Sequence, residues 1–322
     1  MSSPWADKWI DGVSPDDPTC EVAVRTLQSR LGSVLHYFPV AVEKGGEDGE
    51  YLHQLRVWAR RSTAALRLYD DFLPRRRVKW IKKQLKRVRR SANDARDCDV
   101  FMERLQNKKE RGGSKHWLEV VQAERAEAQK DVVALYERLW RRGRFQRRID
   151  QLLKRVRLRG GNNASPKICC FGQWGRDQLQ PVVRRFFADV PGDHMDETAL
   201  HQFRIRGKDL RYAMELLAGA FPEKLRTRLY PVIEAMQDRL GEVNDLATAK
   251  ALIERRIDKA RDTVEAENWR RLLKGEQAQL TRARQKFWAW CTPDLLRELR
   301  QRFDALVDDH PARSGSSKRD IA

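Results

Sequence analysis

The sequence predicts an all-α protein made of two four-helix-type bundles related by an internal pseudo-twofold, and three observations lead there. Apolar residues recur at spacings of three and four along most of the 322-residue chain, the period of a half-buried helix, and no stretch keeps the strict alternation of a strand. Two stretches are near copies: HQLRVWARRSTAALRLYDDFLP from His53 to Pro74 and HQFRIRGKDLRYAMELLAGAFP from His201 to Pro222. The pairs His53 and His201, Pro74 and Pro222, Asp97 and Asp245 all lie 148 residues apart (201 − 53, 222 − 74, 245 − 97). A repeat that persists past the copied helix reads as a duplication, and duplicated helical units bury their apolar faces as two similar lobes.

Taken in order, residues 1–18 hold three prolines and several Asp and read as an irregular lead-in. The first lobe is expected over 19–160. It opens with a helix from about Cys20 to Phe38, ended by Pro39 and the run EKGGEDGE. The His53 helix begins near Tyr51, and Pro74 introduces a third helix with an apolar row of Val78, Ile81, Leu85 and Val88. Ser91 to Arg96 reads as a turn, with Asp97 as the N-cap of a fourth helix, because a carboxylate there accepts the free amides of a first turn. A polar connection over 107–115 leads to a charged helical region from Trp117 to Arg157, kinked at Gly143, and LRGGNNASPK marks the linker. The second lobe, 161–309, repeats the scheme with helices over Phe171–Phe187, the His201 copy, Glu223–Leu240, one from Asp245 after a turn at Gly241–Asn244, Thr263–Trp290 and Pro293–Val307. Residues 310–322 read as a disordered tail.

At 100° per residue, Leu55, Trp58, Ala59, Ser62, Ala65, Leu66, Tyr69 and Phe72 share the core side of the first copied helix, and His53, Arg56, Arg60 and Arg67 form a row nearly opposite. The second copy places His201, Arg204, Lys208 and Arg211 on the equivalent row. On the third helix Lys79, Lys82, Lys83, Lys86 and Arg90 form a further basic stripe. From His53 to Arg90 fourteen Lys or Arg face only two acids, Asp70 and Asp71. Such a density repels itself without an anion, and ridge cations enclosed on a second side by Val57, Ala64 and Leu68 are costly unless paired. Arg offers bidentate donors to phosphate oxygens, Lys a mobile point charge and His a charge that responds to a bound anion. A charge run of this kind is also what an ordinary solvated helix face looks like.

The net charge of +19 and pI near 10.0 suit a polyanionic partner. Five cysteines without CxxC or framework spacing fit a reducing compartment, and the absence of a long apolar run or a signal-peptide pattern points to a cytoplasmic protein.

The two His-Gln-x-Arg helices, each followed by LP or FP and then by RDCDV or LGEVNDL, make the chain resemble the CHAD family, the conserved-histidine α-helical domain, over residues 20–305. The resemblance implies two four-helix bundles, a central basic groove, binding of inorganic polyphosphate, and in some members association with polyphosphate granules. It places the family's histidines on His53 and His201 and its ridge cations on Arg56, Arg60, Arg204, Lys208 and Arg211. Thr63 stands where the second copy has Arg211, and Ala92-Asn93 where it has Leu240-Gly241. The sequence is therefore read as a non-enzymatic polyphosphate binder without a cofactor or metal. One rival is an RNA- or DNA-binding protein using the same surface, although no base-reading module is present. Another is an enzyme or accessory of phosphoanhydride metabolism, although no P-loop, GxSxG or HExxH occurs. Asp94, Asp97 and Asp99 could hold Mg²⁺, but capping and pairing with Arg96 account for them more simply.

Overall fold

The computed structural model describes residues 7–109, 115–161, 170–194, 196–260 and 263–308. Residues 162–169, which hold the later part of the expected linker LRGGNNASPK, part of the 107–115 connection, the first six residues of the lead-in and the tail lie outside them, and the first four linker residues, 158–161, belong to a helix. The chain is all-α, with helices α1 (Thr19–Glu43), α2 (Gly49–Leu68), α3 (Arg75–Ser91), α4 (Asn93–Lys109), α5 (Lys115–Trp140) and α6 (Arg144–Gly161) in its first half. The second half contains α7 (Phe171–Ala188), α8 (Glu197–Leu217), α9 (Tyr230–Lys259), α10 (Thr263–Trp290) and α11 (Pro293–Asp308). Among the described residues no helix is long and apolar enough to cross a membrane.

The sequence periodicity translates directly into packing. Leu55, Trp58, Ala59, Ser62, Ala65 and Leu66 of α2 are all buried, and Val78, Ile81, Leu85 and Val88 of α3 close over them. Burying each such side chain contributes about 1.5–3 kcal/mol, enough to hold α3 in place despite its charge. One large core joins α1, α2, α3, α6, α7, α8 and the start of α9. A separate apolar cluster forms where the α4–α5 hairpin meets the α9–α10 hairpin, with Phe101, Leu105 and Val121 against Ala249, Ile253 and Trp269.

Four boundaries differ from expectation, each because packing outweighs a local signal. Pro39 lies inside α1 and does not end it, since Phe38 and Ala41 on either side are fully buried and offset the missing amide bond. Asp97 caps no helix: α3 ends at Ser91, α4 starts at Asn93, and Asp97 sits inside α4 with its side chain free to face elsewhere. Gly241 makes no turn, because a mid-helix glycine costs only about 1 kcal/mol and Leu240, Val243 and Leu246 are buried around it. The helix expected from Glu223 begins instead as a single π-turn, Leu225–Leu229, that runs into the 30-residue α9. Gly143 does break the long charged region, at φ +61°, a conformation that side chains other than glycine's adopt with strain. Gly207 has a different role: a Cβ there would lie 2.0 Å from Gln237 Nε2, so the missing side chain lets α8 approach α9.

The lead-in is irregular but anchored. Arg30, fully buried, donates to the carbonyls of Asp7 and Lys8 at 2.9 and 2.5 Å, Phe171 N donates to Asp17 O at 2.9 Å, and Trp9 packs edge-on against Tyr230 at 4.7 Å.

A candidate polyanion-binding cavity between the two ridges

The two ridge helices start alike. Asp48 accepts from Glu50 N at 2.8 Å, and Asp196 accepts from Thr198 N and Ala199 N at 2.8 and 2.9 Å. These N-caps satisfy first-turn amides and fix the phase of each helix, and so the direction taken by the histidine one and a half turns later. α2 and α8 pack against each other. Their contact is pinned by a buried ion pair, with Arg61 Nε on Glu215 Oε2 at 2.8 Å and Arg61 Nη2 on Oε1 at 3.0 Å. Tyr230 Oη donates to the same carboxylate at 2.8 Å. Burial opposes the charge on Arg61, and Glu215 more than offsets it, holding the guanidinium pKa above its ordinary value.

Beside this contact lies a cavity of about 370 Å³. Its basic wall is His53, Arg56 and Arg60 from α2 facing His201, Arg204 and Lys208 from α8. α4 adds Asn93, Arg96 and Asp97, and α9 adds Asn244 and Asp245. The floor is apolar, formed by residues such as Phe101, Ala249 and Leu252 that also belong to the cluster between the two hairpins.

The cations here are partly desolvated and press on one another. Lys208 is lowered to about 6 by burial first, then by Arg204, Arg60 and Arg211, with Asp245 acting in the other direction. Arg56 is lowered to about 10 by burial and by Arg60, with Asp97 countering. Burial likewise lowers Arg204, again relieved by Asp245, and lowers His53, whose neighbours Arg96, Arg56 and Arg60 add to the effect. Arg56 Nη1 donates at 3.1 Å to the carbonyl of Ala92, just past the C-terminus of α3, and the same carbonyl accepts from Arg96 N at 3.3 Å. The buried Nε of Arg204 has no hydrogen-bond partner among the described residues. Each ridge thus has one carboxylate opposite it, Asp97 for the first and Asp245 for the second, and cations in excess. Burial, then the nearby carboxylates of Asp94 and Asp245, raise the pKa of Asp97 against the pull of Arg56.

Of the thirteen residues singled out from sequence, six line this cavity: His53, Arg56, Arg60, His201, Arg204 and Lys208. The rest do not. Arg67 is exposed at the far end of α2, and Lys79, Lys83, Lys86 and Arg90 are exposed along α3. Lys82 is drawn to Asp70, with Nζ to Oδ1 at 2.8 Å. Arg211 turns to the buried Glu215 at 3.8 Å and lies over Tyr212, away from the lining. Thr63, at the corresponding place on α2, donates its hydroxyl to Ala59 O at 2.7 Å. Sequence reasoning passed over Arg96, Asn93 and Asn244 as wall residues and read Asp97 as a cap. The 148-residue spacing of Asp97 and Asp245 was the available signal that these two acids share one place.

The CHAD domain model matches residues 25–254, spanning both ridge helices and every residue that lines the cavity. The chain belongs to the CHAD family. Members of this family bind inorganic polyphosphate and are in general not catalytic. In fold the chain is similar to the CHAD domain from the plant Ricinus communis, with a TM-score of 0.64, 24% identity, and 95% of this chain and 98% of that one covered. It is also similar to PptA from Streptomyces chartreusis, with a TM-score of 0.50, 17% identity, and 84% and 100% covered. No curated protein sequence matches it.

Proposed function

We propose that this CHAD protein binds inorganic polyphosphate in the cavity between its two ridge helices, through His53, Arg56, Arg60, His201, Arg204 and Lys208, and binds it without turnover. The observation that carries this reading is the convergence of six basic side chains from two helices on one cavity with only Asp97 and Asp245 as acids in its lining, and burial and neighbouring arginines lower the pKa of Lys208 accordingly. Cations held together this way are unfavourable in the empty cavity and become favourable once a chain of negative oxyanions enters, so the repulsion is released on binding. Guanidinium groups on rigid helices replace the counter-ion cloud of the polyanion, and affinity falls with salt as counter-ions are released.

The cavity suits a slim chain better than a nucleic acid. Phe101 is the single Phe, Tyr or Trp among its lining residues and is buried in the hairpin cluster, so beyond the small imidazoles of His53 and His201 bases would find no stacking platform there. Competition between long-chain polyphosphate and single-stranded RNA at matched phosphate concentration tests the choice of ligand. Polyphosphate is expected to displace RNA, and equal or better competition by RNA would overturn it. Incubation with polyphosphate with and without Mg²⁺ tests the absence of turnover, since released phosphate that disappears in Asp97→Ala would reveal an active site.

A further inference from the structure

A second group of cations lies away from the ridge cavity, at the corner where α5 turns into α6. Gly143, in the left-handed region, lets the chain change direction between the two helices. As a result Arg138 and Arg141 on one side and Arg144, Arg147 and Arg148 on the other border a single hollow of about 590 Å³ with Gln151. None of these five arginines has an ion-pair partner among the described residues, while many cations elsewhere on the molecule do. Two of them are held in orientation. Arg144 and Arg148 lie over the ring of Trp80 at 5.8 and 5.5 Å, a cation–π arrangement that fixes the guanidinium planes while leaving their N–H edges available.

Trp80 belongs to α3, and α3 joins the two basic regions. Its C-terminal end touches the ridge cavity: Ala92 O takes the hydrogen bond from Arg56, and Arg89 is lowered by burial and by Arg60. Its first half reaches the corner, where Arg77 Nη1 donates to Gln151 Oε1 at 2.6 Å. Between these ends α3 exposes Lys79, Lys83, Lys86 and Arg90. At 1.5 Å per residue this 17-residue helix spans about 25 Å.

Building on the polyphosphate reading, we infer that the arginine corner is a second phosphate-binding site, and that one long polyphosphate chain occupies the ridge cavity and the corner together by running along α3. The protein then selects chains by length. A short chain fills only the cavity, whereas a long one gains the corner as an intramolecular contact at high effective concentration. The exposed α3 cations keep the intervening phosphates close to the surface.

The test compares tripolyphosphate with long-chain polyphosphate by calorimetry across a salt series. The corner variant is Arg138→Gln/Arg141→Gln/Arg147→Gln, which spares the two arginines stacked on Trp80. The charge-matched control is Arg270→Gln/Arg271→Gln/Lys274→Gln, exposed on α10. The corner variant is expected to bind tripolyphosphate as the parent does, to bind the long chain about tenfold more weakly or worse, and to show a salt slope shallower by about 2 to 3. The control is expected to change neither. Replacing the same three corner residues by Lys restores charge without the planar fork and is expected to recover only part of the lost affinity. Should the corner variant keep the parent's preference for the long chain, or the control lose it equally, the corner is only a solvated surface and the inference fails while polyphosphate binding stands. If the parent binds neither length, the polyphosphate reading itself falls, and this inference with it.

Discussion

The exposed face of α3 and its counterpart at the start of α9 stand 148 residues apart in sequence and have opposite fates. Lys82, Lys83, Lys86 and Arg90 correspond to Tyr230, Pro231, Glu234 and Asp238. On α3 the face is basic, with Lys83, Lys86 and Arg90 exposed and Lys82 paired with Asp70. On α9 it is covered in part by the lead-in: Tyr230 is buried beneath Trp9, Lys8 lies 4.5 Å from its ring, and Lys8 Nζ reaches Glu234 Oε1 at 2.8 Å, while Pro231 and Asp238 stay exposed. Two stretches that answer each other in sequence have thus become an open cationic track on one side and an anchor for the N-terminal segment on the other. A surface that is already occupied need not stay basic, and one that is kept open for a polyanion does best if it is.

The ridges, which both halves share, should dominate binding whatever the fate of those faces. The pair Arg56→Ala and Arg204→Ala removes one charged donor from each ridge, and at about 1.5–3 kcal/mol for each charge-assisted contact polyphosphate affinity should fall at least about a hundredfold. If either single change does as much as both together, the two ridges do not contribute independently.

Protonation sharpens the contrast between the two ridges. Lys208 is held near 6 by burial and by Arg204, Arg60 and Arg211 against Asp245, and on the binding mode proposed above a phosphate beside it would restore its charge. Binding above that pH therefore takes up a proton, so affinity should weaken as pH rises from 6 to 8, by at most about tenfold per pH unit from this group. The sign for stability is opposite. The unfolded chain binds this proton up to its ordinary pKa of 10.5, so the empty protein should gain stability between about pH 6 and 10. Lys208→Arg, charged throughout, should flatten the pH dependence of affinity, as read by calorimetry in buffers of different ionisation enthalpy.

Removing the α3 track by Lys83→Ala/Lys86→Ala/Arg90→Ala should weaken long-chain binding about tenfold and flatten its salt slope. Arg226→Ala/Arg228→Ala beside the covered face should leave both unchanged. Equal effects from the two sets would erase the distinction between open and covered faces.

The smallest effects belong to the anchor. Glu234→Ala breaks a partly exposed pair, so a stability change of about 0–1 kcal/mol is expected. Trp9→Ala loses the contact with Tyr230 and should lower the melting temperature by a few degrees with affinity intact. A loss of polyphosphate binding on either change would make the lead-in part of the site.

Much of this molecule was legible in the residues themselves. The helix class, the core stripe of α2 and the two histidine ridges follow from a period of 3.6, because burial on one side of a helix leaves its mark every third or fourth residue wherever the helix goes. The ends of elements were less legible. Pro39, Gly241 and the supposed cap Asp97 are local signals worth about 1 to 3 kcal/mol each, and several buried side chains on either flank outweighed them.

What only the tertiary structure decided is which cations share an enclosure. The sequence places Arg56, Arg60, Arg67, Arg204, Lys208 and Arg211 on two ridges, but a ridge is longer than the cavity it borders. The crossing of α2 and α8, pinned by Arg61 and Glu215, selects the first two turns of each ridge, sends Arg211 to Glu215 and leaves Arg67 in solvent. It also brings in Arg96 and Asp97 from α4 and Asp245 from α9, which no helical period links to the histidines. Periodicity records the face a residue occupies on its own helix, whereas desolvation and repulsion depend on what the other helices place opposite it.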